Sequence, residues 1–213
     1  MRLYGFWRSI ASYRVRVALN LKGLAYEEVD VDLLAGAQFA EGFHAVNAAH
    51  AVPALEVDGR VLTQSLAILE ALDALHPEPR LFPADPFDRA AAVSLALDTV
   101  ADCHPLIVPR VRKQLAAQFG AGEDAVHDWA RHFIGLTAAS MEEKLAARPD
   151  TPFAMGDAPG VADLAIAGHL VSCGLFGVDV SGHPRLEALR QRLFALDAFA
   201  RAHPLERKKA SGG

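Results

Sequence analysis

The stretch "LYGFWRSIASYRVRVALNLKG", residues 3–23, decides how the chain begins. Leu3 to Trp7 form an apolar run that predicts a strand. Ser12 to Leu21 carry apolar side chains at helical spacing, with Gly23 placed to end the helix. Between the two lie only a few residues, with hydroxyls at Ser9 and Ser12. A strand that turns straight into a helix leaves first-turn amides without partners, at the positive end of the helix dipole. That arrangement is a natural anion site, or a place where a thiolate is held and its pKa lowered. The same hydroxyls equally suit a plain helix cap, worth about 1 kcal/mol.

Working outward, "AYEEVDVDL" (residues 25–33) alternates as a strand, so the first third begins as a right-handed β-α-β unit. An irregular polar stretch follows at residues 36–51. "VPALEVDGRVLTQS" (residues 52–65) then reads as two short strands joined by Asp58-Gly59, a type I′ hairpin signal. "QSLAILEALDALH" (residues 64–76) is helical by spacing, with Ser65 as its N-cap. After His76 the composition changes: "PEPRLFPADP" (residues 77–86) holds four prolines and reads as a linker. Helices are expected over 87–119, 122–147, 161–173 and 184–195, with a last turn near 198–203. The basic end "ERKKASGG" is expected to be disordered. The domains expected are therefore α/β over 1–76, a linker over 77–86 and all-α over 87–213.

Bulk properties narrow the function classes. A net charge of −5 without a basic block argues against nucleic acid as partner. No apolar run is expected to approach the roughly 18–20 residues that cross a bilayer, and the first residues lack a signal peptide's pattern. Cys103 and Cys173, 70 positions apart, form neither a disulfide framework nor a metal box, which predicts reduced buried thiols and a cytoplasmic protein. His127 and His132 have no third ligand nearby, so no metal site is expected.

Three short features of the first domain carry possible chemistry. Ser9 lies where a strand meets a helix start. In Val52-Pro53, a proline at a strand entry suits a cis bond, which would turn the Val52 backbone outward to pair with a peptide. At Gln64-Ser65, a hydroxyl and first-turn amides could hold a carboxylate. Each of these has an ordinary structural reading as a cap or strand entry.

In order and spacing, "LYGFWRSIASYRVRVALNLKG", "AVPALEVDG" and "LTQSLAILEAL" resemble the N-terminal domain of cytosolic glutathione transferases. More narrowly, the opening stretch is similar to the zeta class, which includes maleylacetoacetate isomerase and glutathione-dependent maleylpyruvate isomerases. The resemblance continues through "GDAPGVADLAIAGHLV" and "FGVDVSGHPRLEAL" and so spans nearly the whole chain. It implies a thioredoxin-like N-terminal domain, an all-helical C-terminal domain, a homodimer and glutathione as cofactor. Carried over by position, Ser9 would support the glutathione thiolate, with Ser12 as a further hydroxyl. Val52 and cis Pro53 would pair with the cysteinyl backbone, and Gln64 and Ser65 would hold the γ-glutamyl end. His50 would reach the glycyl end. Arg8, His104 and Arg110 are the cations expected to hold a small acidic substrate, His104 and Arg110 lying on roughly one side of a helix. Arg14 and Arg16 are expected to serve packing or the dimer contact.

Departures from the zeta pattern are informative. Ser9-Ile10-Ala11-Ser12 stands where the class has Ser-Ser-Cys-Ser, so a second serine and a cysteine are gone. Ala48 follows Asn47 where proline is common, Ile107 and Val108 replace an amide-bearing pair, and Gly174-Leu175 precede Phe176 where an arginine can stand. Gly160 replaces the hydroxyl of a helix capping box, leaving Asp163 to cap alone. Three functions follow as expectations. The first is isomerisation of a maleyl keto acid in aromatic catabolism. The second is conjugation or dehalogenation of small electrophiles by the same thiol. The third is a glutathione-fold binding protein without turnover.

Overall fold

Strand β1 (Arg2–Gly5) is the hub of a four-stranded sheet whose order is β2-β1-β3-β4. It pairs in parallel with β2 (Glu27–Asp30) and antiparallel with β3 (Ala54–Val57), which in turn pairs antiparallel with β4 (Arg60–Thr63). Asp58 and Gly59 both take positive φ (49° and 73°), as a type I′ hairpin requires. The parallel crossover from β1 to β2 is α1 (Ile10–Leu21). The irregular stretch after β2 holds one 3-10 turn and the four-residue α2 (Glu41–His44), and α3 (Ser65–Leu75) follows β4. This computed structural model describes residues 1–210.

The order β-α-β then β-β-α is the one read from the sequence, with two local corrections. Helix α1 begins at Ile10, not Ser12, because Ile10 and Ala11 are themselves buried and the Ser9 side chain is the cap. Helix α3 is capped by the backbone of Gln64, and the Ser65 side chain is engaged elsewhere.

Ten of the twelve residues of α1 are buried, so its apolar surface must be covered on more than one side. The chain's end does part of this. Helix α10 (Asp197–Ala202) is tied to α1 by the Asn20 side-chain amide, which donates to Ala198 O at 2.9 Å, and Phe199 is fully buried. The chain accordingly forms one compact unit from Met1–Phe82 with the segment from Ala195 onward, and a second from Pro83–Phe194. This grouping differs from a helical domain running over 87–213: the last residues cover α1, which the sheet alone leaves open. Glu206–Ala210, within the basic end expected to be disordered, completes α11 (Pro204–Ala210); residues 211–213 lie outside the described residues.

The second unit contains α4 (Pro86–Leu97), a π-helical turn (Asp98–Cys103), α5 (His104–Ile107), α6 (Pro109–Phe119), α7 (Glu123–Ala146), α8 (Val161–Phe176) and most of α9 (Pro184–Ala195). The single helix expected over 87–119 is thus three helices and a π turn. Its second break is at Val108 (ψ 153°), because the ring of Pro109 disfavours helical geometry at the residue before it. Pro86–Ile107 is long and apolar enough to cross a bilayer, with mean hydropathy 1.2, contrary to the expectation that no run comes near that length. Its Ala92, Leu95, Ala96, Cys103 and Ile107 are nevertheless buried within this helical unit. Helix α8 is buried along almost its whole length and is the centre of the unit's core.

Two titratable groups are locked into that core. Asp163 accepts from Gly160 N and Ala154 N at 2.9 Å each, so it carries alone the cap that Gly160 cannot share. Burial raises its pKa to about 6, against the lowering effect of those amides. His169 donates through Nε2 to Ile134 O at 3.1 Å, and burial pushes its pKa down to about 4. Cys103 and Cys173 are free and buried, and burial raises both thiols, to about 11 and about 12.

Candidate active site

Sheet register brings the sequence-selected residues of the first unit to one end. Tyr4 of β1 faces Ala54 of β3, which faces Thr63 of β4, and Gly5 faces Asp30 of β2. The segments leaving β1, β2 and β4 and the segment entering β3 therefore all emerge at the same edge of the sheet. Arg8 and Ser9 follow β1, His50 and Val52-Pro53 lie on the segment that joins β2 to β3, and Gln64-Ser65 follow β4.

A tight turn delivers Ser9, whose N–H donates to Phe6 O at 2.9 Å. Its Oγ accepts from Ser12 N at 3.1 Å, capping α1. A hydroxyl has one hydrogen to give and two lone pairs to receive with. The cap uses a lone pair, so the half-buried Ser9 can still donate to an anion in front of the helix start. Cap and donor are one residue. Ser12 is different: its side chain is fully buried and packs 3.5 Å from the position a Cβ on Gly5 would take. Its expected part as a second thiolate hydroxyl is corrected to an inward-facing one that serves the site through its backbone N–H. Arg8 is exposed, and among the described residues its guanidinium forms no hydrogen bond or ion pair.

The Val52-Pro53 bond is cis, and Val52 lies just ahead of the β3 ladder, which begins at Ala54. The preceding turn is folded by buried Asn47, which donates from its side-chain amide to Ala51 O at 2.7 Å and accepts from Ala49 N at 3.0 Å. His50 sits in it with φ 51°, its Nδ1 2.8 Å from Gln38 O. A carbonyl only accepts, so Nδ1 carries the hydrogen and Nε2 is the nitrogen left for a ligand. The ring stacks on His44 with centroids 5.0 Å apart. Gln64 is exposed and also has positive φ (68°), a conformation that costs a non-glycine residue about 1–3 kcal/mol and gathers at ligand sites.

Behind Ser65 stands a residue that sequence reading missed. Arg14, 2% exposed, donates to Ser65 Oγ from Nε at 3.2 Å and from Nη2 at 3.1 Å. No carboxylate pairs with it among the described residues, its Nη1 is buried without a partner, and burial lowers its pKa to about 10. With both Ser65 lone pairs taken, the Ser65 hydrogen must go to a third group. A buried cation with no carboxylate partner among the described residues, behind a hydroxyl that still has its hydrogen to donate, suits an anion. Of the two parts expected for Arg14 and Arg16, burial inside a single chain agrees with packing and not with a dimer contact. The legible signal was an arginine at a position where the helix is otherwise apolar.

His104 and Arg110 belong to the second unit. They do not share a helix face: His104 opens α5, whereas Arg110 lies on α6 beyond the break at Val108. Arg110 is exposed and lines an open pocket of about 360 Å³ with Val111, Gln114 and Leu115. Buried Ile107 uses its carbonyl to accept from Arg112 Nε at 3.0 Å.

Residues 1–74 match the family described as glutathione S-transferase, N-terminal domain. The chain is 42% identical over 202 residues to maleylacetoacetate isomerase of Rhizobium meliloti (strain 1021), covering 95% of each chain. It is similar, with TM-score 0.94 and 38% identity over 97% of this chain and 98% of the other, to the holo structure of a maleylpyruvate isomerase, a bacterial zeta-class glutathione S-transferase. A maleylacetoacetate isomerase from Methylobacterium extorquens AM1, solved with bound malonate and glutathione, has TM-score 0.91 and 43% identity, with 97% of each chain covered.

Proposed function

We propose that this chain, which belongs to the zeta-class glutathione transferase family that includes maleylacetoacetate and maleylpyruvate isomerases, is a glutathione-dependent cis–trans isomerase of a maleyl keto acid. The observation that carries the reading is the convergence at one sheet end of the Ser9 donor, the cis Val52-Pro53 segment and Ser65 backed by Arg14. Bound glutathione supplies a nucleophilic thiolate that can add to the cis double bond, free it to rotate, and leave again. The α-carboxylate at the γ-glutamyl end of that tripeptide fits the Ser65 hydroxyl, whose neighbour Arg14 has no carboxylate partner among the described residues.

This chain's residues would act as follows. Ser9 donates its hydroxyl hydrogen to the sulfur, and the start of α1 adds its dipole, together favouring thiolate over thiol. Val52 would offer backbone N–H and C=O to the cysteinyl unit, Gln64 would share the γ-glutamyl end with Ser65, and His50 Nε2 would reach the glycyl carboxylate. Arg8, adjacent to Ser9 and without a partner among the described residues, would hold a carboxylate of the acidic substrate and the negative charge that develops beside it. Arg110 and His104 are the helical unit's own candidate cations for an acidic group. The homodimer implied by the resemblance and the cytoplasmic setting expected from the reduced thiols belong to this reading.

One observation favours a second reading. Ile10 and Ala11 occupy the first turn where the class pattern has Ser-Cys, which leaves fewer polar groups at the thiol and suits conjugation of other small electrophiles. The test is the absorbance change of maleylacetoacetate and of maleylpyruvate with the purified protein, with and without glutathione. Turnover of either that requires glutathione supports isomerisation. Turnover of neither, with conjugation of a neutral electrophile, supports the second reading.

A further inference from the structure

Ser9 owes its position to a turn that is held from behind. The Phe6 carbonyl accepts from Ser9 N at 2.9 Å to close that turn, and accepts also from Arg16 Nη1 at 3.4 Å. Arg16 Nη2 donates to the next carbonyl, Trp7 O, at 3.1 Å. The remaining contacts of this fully buried guanidinium run away from the site: Nη1 to Glu28 Oε1 at 2.9 Å, and Nε to Ala202 O at 3.3 Å, the last residue of α10. Four of the five N–H groups an arginine offers are thus spent, two on the turn, one on β2 and one on the chain's end. No other side-chain type offers so many donors in a rigid plane.

The chain's end reaches the same place by two further contacts. Arg207 Nη2 on α11 lies 2.8 Å from Glu28 Oε2, so Glu28 bridges Arg16 and Arg207. Lys208 Nζ lies 5.6 Å from the centroid of the Trp7 ring, within cation–π range. The residues just before Arg8 and Ser9 are therefore gripped at the Phe6 and Trp7 carbonyls and over the Trp7 ring. None of these gripping groups is at the front of the site.

We propose that Arg16, Glu28 and the C-terminal helices α10 and α11 form a strap that positions the Ser9 turn, so that residues at the far end of the chain set how well the active-site hydroxyl meets its anion. Arg16 is a positioning residue, not a catalytic one, because it acts only through the Phe6 and Trp7 carbonyls. This inference rests on Ser9 being the thiolate donor. It adds that the donor's quality is set by a contact with residues nearly two hundred positions away. Losing the strap does not remove any group from the ligand. It lets the turn relax, which lengthens the Ser9 contact with sulfur and leaves binding of the rest of the tripeptide to Val52, Gln64 and Ser65.

The experiment is titration of the bound glutathione thiolate by its ultraviolet absorbance, on the full-length protein, in Ser9→Ala, Arg16→Ala, Arg16→Lys and the double variant Arg207→Ala/Lys208→Ala. The double variant alters partly exposed side chains and is the one that keeps the fold if Arg16→Ala does not. The expected result is a thiol pKa raised by about one unit in Arg16→Ala, about tenfold less thiolate below that pKa, and about threefold less in the double variant. Glutathione Kd should stay within about threefold of wild type in both, since no ligand-touching group is removed. Arg16→Lys keeps a charge beside Glu28 but cannot span both carbonyls and Ala202 O, so it should not restore the wild-type thiol pKa. If Ser9→Ala raises the thiol pKa while the double variant leaves it unchanged, the strap is refuted and the Ser9 assignment stands. If Ser9→Ala itself leaves the pKa unchanged, both fall.

Discussion

Replacing Arg14 by methionine separates what this residue does for the fold from what it does for the ligand. In the protein, a guanidinium 2% exposed has Ser65 Oγ as its acceptor and no counterion among the described residues. Burial lowers its pKa from 12.5 to about 10, and at 1.36 kcal/mol per unit this costs the folded state about 3 kcal/mol. Two hydrogen bonds from a charged donor return about 1.5–3 kcal/mol each. Methionine removes cost and return together and fills most of the space. Stability without ligand should therefore change by no more than about 3 kcal/mol.

Binding should respond differently. Without Arg14, Ser65 is no longer confined to donating outward, and the site loses the charge behind its hydroxyl. If the γ-glutamyl carboxylate loses about 2 kcal/mol of charge-assisted contact, glutathione Kd rises about 30-fold. At a glutathione concentration 100 times the wild-type Kd, ligand stabilisation then falls from about 2.7 to about 0.9 kcal/mol. Thermal unfolding with and without glutathione reads both quantities. For a chain of this length the ligand-induced rise in Tm should drop from about 5–11 °C to about 2–4 °C. A variant that keeps the full ligand-induced rise would refute the anion-site reading of Arg14 and Ser65. A loss of more than about 4 kcal/mol without ligand would make Arg14 a structural keystone instead.

Three further outcomes are expected. Ser9→Ala should lower glutathione-dependent turnover by roughly 10- to 1000-fold, the range for losing one donor to a developing or resident anion, and a pH–rate profile should show the loss concentrated at low pH. Arg8→Ala should raise KM for dianionic substrates more than for neutral electrophiles; equal effects on both would remove Arg8 from substrate binding. The pKa of His169 is depressed in the folded protein from 6.5 to about 4, so the unfolded chain binds more protons between those values. Wild type should then gain stability over His169→Gln as pH rises from 4 to 6.5, by up to about 3 kcal/mol, and lose that gain as pH falls; parallel stability curves in urea would show that His169 titrates as an ordinary histidine.

What was legible in the sequence follows from range. The hairpin at Asp58-Gly59, the helix stop at Gly23 and the cis-prone Val52-Pro53 are local chemistry, and the structure places each where the sequence did. The break at Val108 was equally local, since Pro109 forbids a continuous helix, yet apolar periodicity across 87–119 hid it. Arg14 and Arg16 were opaque for another reason. Two residues apart on a helix they project in different directions, one to Ser65, 51 positions on, the other to Ala202, 186 positions on, and periodicity carries no information about partners so distant. The same holds for α10 covering α1: a helix buried at ten of its twelve positions needs a cover, but nothing local says which segment supplies it. Ser65 shows the limit most plainly. By sequence it caps a helix, and only the structure shows the guanidinium that takes its lone pairs and leaves its hydrogen to donate.

In the proposed isomerisation glutathione is a recycled cofactor. The most direct test is to convert a large excess of maleylacetoacetate or maleylpyruvate with glutathione kept far below the substrate concentration, following the double-bond geometry by proton NMR and free thiol in the same sample. Complete conversion of one of the two to its trans isomer is expected, with many turnovers per glutathione and free thiol unchanged at the end. Conversion that stops after one equivalent, with thiol lost to a stable adduct, would contradict it, as would trans product formed at the same rate without glutathione.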